Sequence, residues 1–406
     1  MKKARNLLTV EEVVELHKQL EHELGQLSMA TQPAVATRIL ELTNDPDAGM
    51  ANYANVIRHD AALSGRLLRL ANSAFFAQRK PITTIDRACV LLGMGRLKSI
   101  SLGFYLAHAV TSGSACRVSQ EVWSQSVYRA CFASQLAQVI CPQVASEAFL
   151  IGLMLDAAIP LVYKIVGPPF EDLYLENVSP VKLFSTEFER HPFTHVDLIG
   201  VLLGKWNFPA LLTKPIEWHH TPPSPEVCDD SVAQLHRVAY FAGSLSLKPS
   251  GTPEQDVSMQ AAAQMHLEID AAQLHEIIRK ANDEYRLVID FFSGVTDGIG
   301  EAERLAEHVH NQLIDIIDGQ IAMDLADTTR PKPQHFKLGG LTVLLRPEDG
   351  GAGTAFAYDS AGDPLSTYRF LFTDETASSI REALGLEQDS GDDIEAVADY
   401  LEKLAA

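Results

Sequence analysis

The chain has 406 residues, 46% hydrophobic and 21% charged, and its 53 acidic and 33 basic side chains leave a formal charge of −20. That length suggests two or three domains with ample material for a large core. A surface this acidic repels phosphate backbones and anionic lipid, so neither nucleic acid nor a membrane is expected as a partner.

The N-terminal MKKARNLLTVEEVVEL is basic but has no apolar run of signal-peptide length, so secretion is not expected. From residue 9 to about 245 the pattern is helical nearly throughout. Thr9 and Glu12 stand at capping-box spacing. PAVATRILELTNDPDA repeats apolar residues at helical spacing (Val35, Ile39, Leu42) and breaks at Asn44–Pro46. ANYANVIRHDAALSGRLLRLANSAFF reads as two helices, with Asp60 as N-cap of the second and Leu63, Leu67, Leu70 and Ala71 on one face. Asn72 and Ser73 are expected to bond local backbone at the end of that helix, the alternative being contact with a ligand or partner. Two more helices join at Gly93–Gly95, and residues 121–140 and 147–165 form amphipathic or buried helices. In FLIGLMLDAAIP (149–160), Asp156 is the one ionisable side chain. An unpaired carboxylate is costly to bury, so something must neutralise, hydrate or bind it.

Residues 247–258 (LKPSGTPEQDVS) read as a linker. Two longer helices follow. Leu274, Ile277, Ile278, Ala281, Tyr285, Val288 and Phe292 make one apolar stripe, and Leu305, Val309, Leu313, Ile316, Ile317 and Ile321 make another. Such stripes pack within a chain, or pair two copies through residues 272–321. After a second break at 328–334, LTVLLR, TAFAYD and TYRFLF suggest a three-stranded meander, closed by helices over roughly 374–385 and 391–404. Cys89, Cys116, Cys131, Cys141 and Cys228 are odd in number and lack CxxC spacing, the usage of a reduced cytoplasmic protein. No phosphate-loop, dinucleotide or GxSxG motif is present.

Several blocks in order carry a family resemblance. IRHDAALSGRLLRLANSAFF resembles the "I..DP.L..rlLrlaNSa.y" block of the HDOD family through Ile57, Asp60, Leu63, Leu67, Leu68, Asn72, Ser73 and Ala74, with Ala61 in place of the usual proline. ITTIDRACVLLGMGRLKSISL resembles the block that follows. FLIGLMLDAAIPLV stands where the wider HD superfamily has "GLLHDIG", and FERHPFTHVDLIGVLLGKWNFPALLTKPIEWHH is similar to the family's segment ending in paired histidines. The resemblance implies an all-helical core over about 20–245, within a domain spanning 1–248. A helical extension (259–327) and a small α+β domain (335–406) complete a mostly α chain.

The resemblance also implies where a metal site would stand. Catalytic relatives hold a divalent ion on an adjacent His–Asp pair plus histidines and an acid from neighbouring helices. Here Leu155 replaces the histidine of the pair, and Gln125 stands where an earlier histidine is expected. What remains is Asp156, His195 and one of His219 and His220, because adjacent helical residues point about 100° apart. Three donors fall short of the usual ligand count, so neither a metal nor another cofactor is expected; the alternative is a divalent ion on Asp156, His195 and His219. HHTPPSPE lacks the acid and the GYP of cyclic-dinucleotide phosphodiesterases. The resulting expectation is a bacterial, cytoplasmic regulatory protein that binds a signalling partner or small ligand without hydrolysing it. The rival is a divergent metal-dependent phosphohydrolase acting on a nucleotide or phosphoester.

Overall fold

The computed structural model describes residues 3–26, 34–43, 45, 47–73, 76, 80–111, 117–176, 179–226, 230–245, 247, 267, 269–292, 333–348, 351–372, 377–386 and 393–405. Its first part is helical: α1 (Val10–Gln26), α2 (Ala34–Thr43), α3 (Met50–Arg58), α4 (Ala61–Ala71), α5 (Ile85–Leu92), α6 (Met94–Thr111), α7 (Arg117–Ile140), α8 (Ala145–Met154), α9 (Ile159–Val166), α10 (Pro168–Glu176), α11 (Pro180–Arg190), α12 (His195–Lys205), α13 (Ala210–Glu217), α14 (Ser231–Ser244) and α15 (Ala271–Val288). The local signals hold. Thr9 and Glu12 exchange backbone bonds of 3.3 and 3.0 Å at the start of α1, and Asp60 accepts from Leu63 N–H at 2.8 Å at the start of α4.

Helix α7 runs through the middle. Trp123, Val127, Tyr128, Cys131, Phe132 and Leu136 are all buried, and from residue 122 to 133 every residue is, so over that stretch it presents no polar face to water. It crosses α8 closely at Gly152, where a Cβ would lie 2.5 Å from the Arg129 carbonyl oxygen and 2.8 Å from Ala130 Cα. No side chain fits that gap.

The expected continuous helix over 147–165 is interrupted. Helix α8 ends at Met154, a turn runs through residues 155–158, and α9 begins at Ile159. Pro160 is the cause: it has no N–H to give the Asp156 carbonyl, and its ring crowds that carbonyl. Asp156 O accepts from Ile159 N–H instead, at 3.0 Å. Residues 142–166 have the length and apolarity to cross a membrane (mean hydropathy 1.9), but 78% of their most apolar window lies buried inside the fold.

The first long stripe packs within the chain. Leu274, Ile277, Ile278, Ala281, Tyr285, Val288 and Phe292 belong to the same core as α7. Tyr128 donates to Asn282 Oδ1 at 2.9 Å, and Glu284 takes Arg96 and Gln135, each at 2.7 Å. That face therefore packs against α7 within the chain. The second stripe, over 305–321, lies outside the described residues.

The C-terminal sheet corrects the expected three-stranded meander to four antiparallel strands in the order β1–β2–β3–β4: β1 (Gln334–Leu338), β2 (Leu341–Glu348), β3 (Ala352–Tyr358) and β4 (Pro364–Leu371). The extra strand, QHFKL, shows only two inward apolar residues, Phe336 and Leu338, too few to register as alternation. It is joined to β2 through Gly339 and Gly340, whose φ of 60° and 71° suits the two-residue hairpin turn with both centres left-handed. Helices α16 (Ala377–Ala383) and α17 (Ile394–Ala405) cover one sheet face, over Phe336, Val343, Ala355 and Phe370. The other face meets the helical part. Tyr358 Oη donates to Pro222 O at 2.6 Å, Thr342 Oγ1 to Glu226 Oε1 at 2.8 Å, and Lys214 pairs with Asp363 at 2.6 Å.

Candidate functional site: a buried Asp–His–Arg cluster

Four elements converge on Asp156. The α8–α9 turn supplies Asp156 itself, α7 supplies Gln125 and Arg129, the first turn of α12 supplies His195, and the segment after α13 supplies His219 and His220. The expectation that only one of the paired histidines faces the site is corrected. Helix α13 stops at Glu217, so the 100° step between helical neighbours does not govern residues 219 and 220. One ligand-capable atom from each of Asp156, His195, His219 and His220 lies within 4.8 Å of the others.

Each histidine is oriented from behind. His195 Nδ1–H and its backbone N–H both donate to Glu187 Oε2, at 2.7 and 2.9 Å, which turns Nε2 toward Asp156 Oδ1 at 3.6 Å. His219 Nδ1–H donates to Ile216 O at 2.6 Å, leaving Nε2 at 3.7 Å from Asp156 Oδ1, beyond hydrogen-bond range. His219 Nε2 is buried with no hydrogen-bond partner among the described residues. Gly243 lets that ring sit flat: a Cβ there would lie 2.8 Å from His219 Cδ2. His220 stacks on Phe184 with centroids 4.3 Å apart, and its Nε2 lies 3.2 Å from that of His195.

The residue that answers for Asp156 is Arg129. Its Nη1 lies 2.8 Å from Asp156 Oδ2, with both side chains buried. Its Nη2 donates to Leu245 O at 3.1 Å, which holds the guanidinium in place. Burial alone pushes the Asp156 carboxyl up, but the Arg129 guanidinium, with His195 in support, overrides it and holds the group well below the usual carboxylate range. Burial pulls His195 down, yet the charge and hydrogen bond of Glu187, then Asp156, raise it above an ordinary histidine. Burial lowers His219, and it lowers His220 further with the help of the two neighbouring imidazoles. With His195 protonated, the charges of Arg129, His195, Asp156 and Glu187 sum to zero.

Could the cluster hold a metal? The donor set suits a borderline divalent ion, and Glu187 and Ile216 O orient the imidazoles as partners behind metal ligands do. Against that stands the guanidinium. At an effective dielectric near 20, a fixed unit charge roughly 5 Å away costs about 3 kcal/mol per unit of added positive charge. Arg129 and Glu187 are also the two residues that the sequence reading missed. A signal for Arg129 exists: it is the charged residue in the apolar run VYRACFA, one helical turn after Gln125. Glu187, amid the charges of STEFER, carries no such signal. Gln125 lines the small cavity beside Asp156 and bonds to Glu121 at 3.4 Å.

Asp60, Asn72 and Ser73 lie outside this cluster. Asp60 Oδ2 takes the Tyr105 hydroxyl at 2.5 Å. Asn72 Nδ2 donates to Leu68 O and Ile82 O, both at 2.8 Å, and its Oδ1 accepts from Ile82 N–H at 2.7 Å, tying the end of α4 to the segment before α5.

Residues 29–222 match the family model of the HDOD domain. A protein of Treponema pallidum (strain Nichols) with no assigned function is 24% identical over 210 residues, 48% of this chain; the chain spans 39% of that relative's length. Two solved structures share the fold. An HDOD domain protein of unknown function from Geobacter sulfurreducens gives a TM-score of 0.51 at 18% identity, covering 70% of this chain and 98% of that one. A Marinobacter aquaeolei VT8 protein, named for signal transduction, also gives 0.51 at 18% identity over 69% of this chain and 66% of its own. The match to the HDOD domain thus covers residues 29–222, just under half of the chain, and the helical fold over it is shared with these two structures.

Proposed function

We propose that this chain is a bacterial cytoplasmic signalling protein whose Asp–His cluster is structural, and that it acts by binding a protein partner or small ligand rather than by hydrolysis. The observation that carries this reading is the closure of the site. Asp156, His195 and His219 are 5%, 1% and 0% exposed, and the cavity beside them, lined by Gln125, Arg129, Tyr174, Ser179 and Leu183, measures about 20 Å³. That is room for one water molecule, not a phosphoester. Leu155, in place of the histidine that would precede Asp156, supports the same conclusion, since a hydrocarbon donates no lone pair. The buried free thiols of Cys89, Cys131 and Cys141 suit a reducing compartment.

A second reading, metal-dependent phosphohydrolase, draws on the converging acceptors of Asp156, His195 and His219. One experiment separates the two: elemental analysis of full-length protein purified without chelator, paired with a screen against phosphomonoesters, phosphodiesters and nucleotides with Mn²⁺, Ni²⁺, Mg²⁺ or Zn²⁺ added. The regulatory reading expects no turnover above a buffer blank. Turnover that Asp156→Ala abolishes overturns it.

A further inference from the structure

We propose that Arg129 is the residue that decides whether this cluster takes a divalent cation: its guanidinium supplies the positive charge beside Asp156, and it keeps metal-free a ligand set that is otherwise assembled. The proposal rests on the non-hydrolytic reading above and gives it a cause in one side chain. Three observations carry it.

The first is the orphaned acceptor. His219 Nε2 is fully buried and has no hydrogen-bond partner among the described residues, while Ile216 O takes its other nitrogen. A buried lone pair aimed at a carboxylate is normally filled by a proton or a cation. The second is preorganisation. Glu187 holds His195 through two bonds to one oxygen, and Gly243 seats the His219 ring, so Asp156 Oδ1 has Nε2 atoms at 3.6 and 3.7 Å without any rearrangement. The third is that Arg129 cannot withdraw. Its side chain is 2% exposed, its Nη2 is bonded to Leu245 O, and its own carbonyl is pressed against Gly152. A divalent ion entering the set would meet a fixed positive charge in a dry interior, where screening is weak.

The test uses the full chain as wild type, Arg129→Gln, Arg129→Met and Arg129→Lys. Titration calorimetry with Mn²⁺, Ni²⁺ and Zn²⁺ in chelator-free buffer is paired with melting temperatures with and without each ion. The neutral variants are expected to bind one ion at least about 100-fold more tightly than wild type, with Arg129→Lys remaining like wild type. Adding Asp156→Asn to Arg129→Met should abolish the gain. If charge removal leaves the neutral variants poorly folded, the ion should raise their melting temperature and leave that of the wild type unchanged, because binding to the folded state alone stabilises it. Wild type binding as tightly as Arg129→Met overturns the proposal. So does a neutral variant that neither binds an ion nor gains melting temperature. Phosphoester turnover is scored in the same samples. Turnover by wild type sinks the non-hydrolytic reading, whereas equal binding without turnover removes only the role of Arg129.

Discussion

Asp156→Asn keeps the shape of the side chain and deletes its charge, leaving the Arg129 guanidinium buried opposite a neutral amide. The pair is separated by 2.8 Å, with side chains 2% and 7% exposed. At an effective dielectric near 20, charges about 4 Å apart attract by about 4 kcal/mol. Breaking one side of such a pair costs about 3–5 kcal/mol, because the surviving charge stays desolvated. The neutral amide keeps the carboxylate's shape and dipole beside the guanidinium, which places the expected loss near the lower end, ~3 kcal/mol. Arg129→Met should cost a similar amount. The double variant should lose far less than the sum, since neither charge then remains unpaired. Urea unfolding followed by tryptophan fluorescence measures this cleanly: the chain has three tryptophans, Trp123, Trp206 and Trp218, all in the helical part, so the C-terminal module does not contribute. Losses that add to within about 0.5 kcal/mol would show that the two residues do not compensate each other, and the account of how Asp156 is buried would be wrong.

Further outcomes test the neighbouring structure. Gly152→Ala should destabilise the helical part by at least ~2 kcal/mol, because the new methyl would meet the α7 backbone and not a flexible side chain; a melting temperature within a degree of wild type would mean that α7 and α8 lie further apart. His236 donates from Nε2 to Trp218 O and Thr221 O, at 3.1 and 2.9 Å, and burial pulls it down to about 4. Below the ordinary histidine value the unfolded chain takes a proton that the folded chain refuses, so stability falls as pH drops from 6.5 to about 4. The loss from this group is about 3 kcal/mol. His219 and His220, also lowered, act in the same direction, so His236→Gln should shallow the acid slope without abolishing it; an unchanged slope in urea midpoints between those pH values would contradict the assignment. Tyr358→Phe leaves the Pro222 carbonyl without its donor and should cost ~1 kcal/mol. Hydrogen exchange should then quicken over β3 and at the Ser224 and Glu226 amides, and unchanged exchange in both would argue that the sheet is not anchored there.

Local order was legible in the linear chain because its causes are local. Thr9 with Glu12, Asp60 before Leu63, and the stripes on α4 and α15 each act within a turn or two of helix, and the structure shows each of them in place. The anomaly of Asp156 is legible too, and so is the cause of the break that frees its carbonyl, since Pro160 stands four residues on. What neutralises Asp156 is not. Arg129 lies 27 residues earlier; its charge in an apolar run marks it as a buried cation but not what it faces, and only the close crossing at Gly152 brings the two charges together. The placing of both His219 and His220 at one site likewise depends on where α13 ends. Backbone propensity reads from neighbours in sequence, but the balance of buried charge is struck between residues that only the packed helices make adjacent.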